Sequence, residues 1–193
     1  MRKLYQLAFN RVKRYKSAKD GATAIEFALL AIPFFMLLFA ILELAIIFFI
    51  SSTLNHAVGE SGRQIRTGNF QNCGQAAFKA SICDRMAGIG NCDAKLRVDV
   101  ESNASFSTIT LVDPPAPPVT PPGAPAPSVA NGVYNPNAET SAGAPVVLRA
   151  LYYHKLILPA QLTRLENVPN SNTHVISATT AFQNEPFPAK ACP

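Results

Sequence analysis

One long apolar segment limits what this chain can fold into. From residue 22 to residue 50 the sequence reads ATAIEFALLAIPFFMLLFAILELAIIFFI, with two carboxylates and no basic residue. As a helix, these residues would rise about 44 Å, which exceeds the roughly 30 Å hydrocarbon core of a bilayer. The run is too long for the apolar region of a secretory signal peptide, and no small-x-small cleavage pattern ends it. The sequence therefore predicts a retained transmembrane helix over residues 22–50.

The positive charge of the chain is concentrated before this segment. Residues 1–20 contain seven Lys or Arg and one Asp, a local net charge of +6 in a chain whose formal net charge is +5. Residues 51–193 contain ten basic and nine acidic residues. Basic residues that flank an apolar span stay in the cytoplasm, whereas a nucleic-acid binder would carry them on its folded domain. Charge therefore predicts a cytoplasmic leader over residues 1–21, an exported C-terminal part and no nucleic-acid partner.

Three residues interrupt the apolar run. Pro33 removes a backbone donor and is expected to kink the helix, which membrane helices tolerate. Glu43 lies well inside the run, so its carboxyl group is expected to be protonated, partnered or near the outer interface, because an isolated charge there is costly. Glu26 lies near the cytoplasmic end, and composition alone favours a solvated interfacial charge.

The residues around Glu26 suggest a more specific role. The sequence KDGATAIEF places the carboxylate five residues after Gly21, at the end of a basic leader and the start of the apolar helix. This resembles a type IV prepilin processing site and is most similar to the TadE-like family, the minor prepilins (pseudopilins) of the tight-adherence (Tad/Flp) pilus system. The Ile-Leu-Glu-Leu segment around Glu43 also resembles that family. Further resemblance lies in residues 63–68, 78–83, 96–100, 146–153 and 182–187.

The resemblance implies a processing site and an assembly site. A prepilin peptidase would cut between Gly21 and Ala22, and the basic leader would hold this bond at the cytoplasmic face. Glycine would accept an extended or bent scissile bond at little steric cost. Glu26 would then attract the free α-amine of a neighbouring subunit, next to Phe27, where major pilins of this system more often have Tyr. The implied partners are the peptidase, other pilin or pseudopilin subunits, the inner-membrane assembly platform and membrane lipid.

Beyond the membrane, the sequence predicts an α+β domain. Residues 51–70 are expected to continue the helix, with Gly68 as its cap, and a periplasmic domain follows over residues 71–193. A second helix is expected near residues 75–86, and four strands near residues 96–101, 106–112, 145–155 and 174–183. The proline-rich segment 113–138 is expected to form an extended surface loop, because proline cannot pair in a central strand. The predicted fold is a long N-terminal helix that packs on a small antiparallel sheet, as in a pilin.

Four cysteines follow the membrane segment, in a part of the chain where export would allow disulfides. Sequence alone leaves three pairings open. The segment that contains Cys83 and Cys92 resembles a short cysteine-bounded loop of the family, which makes this pair the first choice and leaves Cys73 with Cys192. A structural zinc site is disfavoured, because no two cysteines have C-x₂₋₄-C spacing.

No catalytic motif points to an enzyme. The three histidines, His56, His154 and His174, lie outside any HExxH or metal-ligand cluster, and the chain has neither a P-loop nor a G-x-S-x-G elbow. We therefore predict no enzyme activity, no metal and no cofactor. The alternative to a pilus-assembly protein is an uncleaved, membrane-anchored periplasmic scaffold or binding protein of the same architecture. In both cases the protein is a single-pass inner-membrane protein, and a processed pilin can also enter the extracellular pilus.

Overall fold

A computed structural model of the chain describes residues 20–86, 91–111, 113, 129–188, 190 and 192. The chain divides into two compact units, Met1–Leu42 and Glu43–Pro193. The predicted leader lies almost entirely outside the described residues, as does most of the proline-rich segment.

The first unit contributes the beginning of helix α1, which spans Asp20–Arg66. Within this unit the large apolar side chains face outward, including Phe27 at 71% and Leu30 at 74% exposure. Pro33 lies inside the helix. The helix is long and apolar enough to cross a membrane. An apolar surface that the other described residues leave uncovered is what a lipid-facing helix requires.

The second unit is an α+β domain, which confirms the predicted fold class. Its elements after α1 are helix α2 (Gly74–Arg85), short helix α3 (Cys92–Lys95), strand β1 (Leu96–Ser102), a 3₁₀ turn (Phe106–Thr108), short helix α4 (Asn137–Thr140), strand β2 (Pro145–Lys155), short helix α5 (Ala160–Thr163) and strand β3 (Thr173–Gln183). The strands form an antiparallel sheet in the order β1-β2-β3.

The outer half of α1 packs on this sheet through one stripe of side chains. The buried positions recur every three or four residues and comprise Glu43, Ile47, Ile50, Leu54, Ala57, Val58, Ser61 and Ile65. Alternate residues of the strands, such as Val98, Leu148 and Ala178, complete the core. At Gly62 an added Cβ would lie 3.1 Å from atoms of both Thr180 and Phe182. This close approach explains why the stripe has a glycine there.

Helix α1 ends in the cap that its sequence predicts. Gly68 has φ +68°, and its N–H donates to the carbonyl of Ile65, while the N–H of Asn69 donates to the carbonyl of Gln64. These two bonds form a Schellman motif, in which a glycine in the left-handed region satisfies the last helical carbonyls. A Cβ at Gly68 would also lie 2.3 Å from the ring of Phe187. Both backbone conformation and packing therefore require glycine at this position.

The predicted strand near residues 106–112 is wrong. Phe106–Thr108 forms a single 3₁₀ turn, and the described residues contain three strands rather than four. The Ser105 hydroxyl accepts from the N–H of Ser107, and the Thr108 hydroxyl donates to the carbonyl of Ser105. Hydroxyl side chains that bond nearby backbone groups compete with strand pairing. Residue 112 lies outside the described residues.

The end of the proline-rich segment, and not the predicted strand, covers the open edge of β1. Val100 donates its N–H to the carbonyl of Val133 at 2.8 Å and accepts from the N–H of Asn135 at 2.8 Å. Tyr134 forms a parallel bridge with Val100. Covering an edge strand in this way blocks pairing with another chain.

Candidate functional site

The predicted processing and assembly residues all lie in the first turns of α1. Gly21 and Ala22 are helical, so the bond between them is not extended in this structure. Glycine is the weakest helix former after proline, at a cost of about 1 kcal/mol relative to alanine, so this turn is easily unwound. Glu26 lies four positions after Ala22 and is therefore on the same face of the helix.

Glu26 and Phe27 are exposed, and Glu26 has no hydrogen-bond or ion-pair partner among the residues that the structure describes. Its neighbours in the next helical turn, Leu29 and Leu30, are large apolar side chains that also face outward. A carboxylate in such surroundings is costly unless it finds a partner. The described residues thus leave the Glu26 carboxyl group available to bind another partner.

Glu43 is in a different situation, because the second unit buries it almost completely, at 1% exposure. The backbone N–H of Ile157 donates to its Oε1 at 2.6 Å, and the N–H of Leu158 donates to its Oε2 at 3.0 Å. Hydrogen bonds to an ionised acceptor are stronger than bonds between neutral groups. The sequence left three alternatives open for the Glu43 carboxyl group, which could be protonated, partnered or near the outer interface. The structure shows that it is partnered.

The segment that Glu43 holds, residues 156–165, connects β2 to the turn before β3, and we call it the base loop. Asn172 holds its other side. The N–H of Leu156 donates to the Asn172 carbonyl at 2.9 Å, and the N–H of Ala160 donates to the Asn172 Oδ1 at 2.6 Å. The side-chain amide of Asn172 also donates to the carbonyl of Leu156 at 3.0 Å. The base loop is therefore fixed from two directions by buried or half-buried polar groups.

His154 lies beside this contact. Its Nε2 is 4.0 Å from Oε1 of Glu43 and has no hydrogen-bond partner within the described part of the chain. Burial lowers the pKa of His154, outweighing the opposing effect of Glu43, and the positive charge of Lys95 and the neighbouring His174 lower the pKa further. The imidazole is therefore held neutral near neutral pH. This His and Glu pair serves the fold, since nothing beside it forms a nucleophile or metal site among the described residues.

A second buried charge cluster lies on the other face of the sheet. The carboxylate of Asp99 accepts from Arg97 Nη2 at 2.9 Å and from Arg149 Nη2 at 2.9 Å, and its side chain is 3% exposed. Asp99 also accepts from the N–H of Val133 at 2.9 Å, which ties the segment along the β1 edge to the sheet. In the sequence, Arg97 and Asp99 alternate with Leu96, Val98 and Val100, a pattern that predicts a half-buried strand but not an ion pair. The cluster is structural, because all its acceptors are used within the domain.

The cysteines form two disulfides, Cys73–Cys192 and Cys83–Cys92, and no described cysteine is free. Cys83–Cys92 is the pair that was the first choice from the sequence, and Cys73–Cys192 is the pair that this choice leaves. The first closes a loop of 119 residues and holds the C-terminus against the end of α1. Gln71 supports the same attachment, since its Oε1 accepts from the N–H of Lys190 at 2.9 Å.

Comparison with known proteins identifies only the helical part. Residues 21–63 match the family model described as TadE-like protein. The match begins at the glycine of the predicted processing site and includes Glu26, Phe27 and Glu43. Neither the curated proteins nor the solved structures contain a match to the chain. The resemblance to the TadE-like family is thus confirmed over residues 21–63, and through this TadE-like segment the chain is associated with the tight-adherence pilus in general terms.

Proposed function

We propose that the protein is a minor pilin or pilus-assembly protein of a tight-adherence type IV pilus. It is inserted with its N-terminus in the cytoplasm, cut by a prepilin peptidase after Gly21, and assembled through its N-terminal helix. The chain beyond residue 50, with its domain of residues 71–193, then lies in the periplasm. The protein works by packing against other subunits and has no enzymatic turnover.

The contrast between the two glutamates of the apolar segment supports this proposal most directly. Glu43 is fully engaged by its own domain, whereas Glu26 faces outward and has no partner among the described residues. A buried or lipid-exposed carboxylate is stabilised when a positive charge approaches it in a low-dielectric setting. Processing after Gly21 would create such a charge on a neighbouring subunit, the free α-amine of Ala22. Glu26 would then fix the axial register between subunits.

Processing at a helical bond requires local unwinding. Gly21 lowers the cost of this unwinding, because glycine contributes little to helix stability. Apart from its chain neighbours and the backbone of its own helix, no described atom lies within 4 Å of a Cβ built there. A larger side chain at this position would therefore meet no steric obstacle from the other described residues. Any effect of Gly21→Leu on cleavage would report on recognition by the peptidase and not on misfolding.

The test is the N-terminal sequence of the full chain recovered from membranes of cells that carry the matching peptidase. We expect the mature protein to begin at Ala22, and Gly21→Leu to leave Met1 or Arg2 at the N-terminus. A wild-type chain that keeps its leader would refute the proposed processing and favour the uncleaved scaffold.

Assembly is tested separately with Glu26→Ala. This variant is expected to insert and to be cut normally but to be lost from isolated pili or from crosslinked subunit complexes. Glu60→Ala is the matched control, since Glu60 lies on the same helix and makes only an exposed ion pair with Arg63. Normal incorporation of the Glu26→Ala variant would discard the register role.

A further inference from the structure

The base loop carries two large apolar side chains that no part of the described protein covers. Ile157 is 73% exposed and Leu162 is 58% exposed. The other large apolar side chains that the second unit exposes outside α1, Phe106 and Val133, are exposed less, at 49% and 40%. Single exposed apolar residues are ordinary, but two within six residues of one loop form a local patch.

The position of the base loop along α1 indicates what covers this patch. On the side of α1 away from the sheet, exposed apolar residues continue as far as Phe48 and Phe49, at 71% and 60% exposure. The next outward-facing positions are polar, beginning with Ser52 and Asn55. The outer edge of the lipid-facing surface of α1 is therefore at about residue 49.

Glu43 lies six residues before that edge, which corresponds to about 9 Å along the helix axis. Side chains of an α-helix lean towards its N-terminus, so the carboxylate lies no closer to the edge than its own backbone. Because the N–H groups of Ile157 and Leu158 donate directly to this carboxylate, the base loop lies at the level of the lipid-facing residues. The apolar patch therefore lies at the same depth as the lipid-facing residues 44–49 of α1, within the same unit.

Most backbone N–H groups of the base loop have acceptors within the protein. Polar backbone groups in contact with lipid must be satisfied in this way. Pro159 has no N–H, and seven other residues of the loop donate to identified acceptors: Leu156, Ile157, Leu158, Ala160, Leu162, Arg164 and Leu165. These bonds make the loop backbone compatible with contact with lipid.

Basic residues border the loop on both sides. Lys155 precedes it, Arg164 lies near its end, and both are exposed. Long basic side chains beside an apolar patch place their stems along the apolar surface and their charges among lipid headgroups. This arrangement favours lipid over a second protein helix as the occupant.

We propose that the base loop is a second membrane contact of the protein, in which Ile157 and Leu162 insert into the outer leaflet beside α1. The transmembrane helix and this loop together fix the orientation of the domain on the membrane surface. Glu43 makes the contact possible, because it holds the loop backbone at the depth of the lipid-facing helix.

The chain contains no tryptophan, so single substitutions give unambiguous fluorescence probes. The full chain with Ile157→Trp, and separately with Leu162→Trp, is reconstituted into bilayers with and without brominated lipid. Phe106→Trp is the matched control, because Phe106 is also an exposed apolar residue. It follows Ser102, the last residue of β1, which pairs with Val146 at the end of the sheet away from the base loop.

For both loop probes we expect blue-shifted emission, at least twofold quenching by brominated lipid and weak quenching by aqueous iodide. The control probe is expected to show the reverse pattern. Loop probes that iodide reaches as readily as the control would overturn the proposal. Protection from iodide without quenching by brominated lipid would also overturn it, since a neighbouring subunit and not lipid would then cover the loop.

Discussion

The contact between Glu43 and the base loop yields a prediction with a magnitude that can be worked from its geometry. Glu43→Gln keeps the size of the side chain but replaces one acceptor oxygen by an NH₂ group, which cannot accept from an N–H. One of the two hydrogen bonds is therefore lost, and one N–H group of the loop is left without its acceptor. A buried donor that loses its partner costs about 1–3 kcal/mol, so the loop loses about 1–3 kcal/mol of local stability.

Such a loss corresponds to roughly 5- to 150-fold faster amide exchange through local opening, at about 1.4 kcal/mol for each factor of ten. The assay is hydrogen–deuterium exchange of the full chain in lipid nanodiscs, read by mass spectrometry on peptides that cover residues 156–165. Peptides from β2 should keep their protection, because the ladder between Pro145 and Lys155 does not depend on Glu43.

Two further variants test the position of the carboxyl group on α1 and the length of the side chain that carries it. Glu60→Gln changes an exposed carboxylate on the same helix and should leave exchange in the base loop within about threefold of wild type, because exposed ion pairs contribute little. Glu43→Asp keeps the charge but shortens the side chain by one methylene group, so it should resemble Glu43→Gln. If Glu43→Asp exchanged like wild type, or if Glu43→Gln left the loop protected, the account of this contact would be refuted.

Three other predictions concern the stability of the second unit. Asp99→Asn should lower the free energy of unfolding by about 3–5 kcal/mol, measured by urea denaturation in detergent, because Arg97 and Arg149 would lose their shared buried counter-charge. Cys192→Ser, compared under non-reducing conditions, should cost up to about 5 kcal/mol in the chain-entropy model, since the disulfide closes a loop of 119 residues. Burial lowers the pKa of His154 below 6.5, so the unfolded state binds more protons than the folded state. The contribution of His154 to the free energy of unfolding should therefore be constant above pH 6.5 and should fall as the pH drops below it. This slope should be reduced in His154→Gln.

Each of these three predictions has a control within the chain. Glu101→Gln lies two residues from Asp99 on the same strand but joins no ion pair in the described structure, so its cost should be below 1 kcal/mol, which is typical of partly exposed sites. Cys83→Ser opens a loop with a separation of only nine residues and should cost about half as much as Cys192→Ser. His56→Gln changes an exposed histidine of α1 and should leave the pH dependence unchanged. Equal effects of a variant and its control would contradict the structural explanation.

The fold follows from the sequence wherever a local signal is strong. The apolar run and the periodic stripe after it predict a helix that continues over residues 51–70 with Gly68 as its cap, and the observed helix ends at Arg66. Strands β2 and β3 follow from β-branched and aromatic residues that no turn signal interrupts. The segment near Phe106 has similar composition, but two serines and a threonine supply local hydrogen bonds that favour a turn. The competition between these bonds and strand pairing depends on tertiary context, which composition does not contain.

The role of Glu43 could be predicted only in part. A carboxylate inside an apolar helix requires a partner on energetic grounds, and this much is available from the sequence. The partners, however, are backbone N–H groups 114 and 115 positions away, and backbone groups carry no sequence signature. The same limit applies to Asp99, whose pairing with Arg149 depends on the register between β1 and β2.

Helix α1 has a part that packs on the sheet of its own chain and a part that stays exposed, and this division restricts how subunits can contact each other in the proposed assembly. From Glu43 onward one face of the helix is occupied by the sheet of its own chain, and only the opposite face remains available. Before Glu43 most described side chains are exposed, including Glu26 and Phe27, and only Ala31 and Ala40 are half-buried. In the proposed assembly, residues 23–42 can therefore contact other subunits on most sides of the helix, whereas residues 43–66 can do so on one side only. Substitutions of exposed residues such as Leu30 should accordingly affect assembly more than comparable substitutions at Phe48, and a crosslinking scan along α1 that showed equal contacts in both parts would contradict this division.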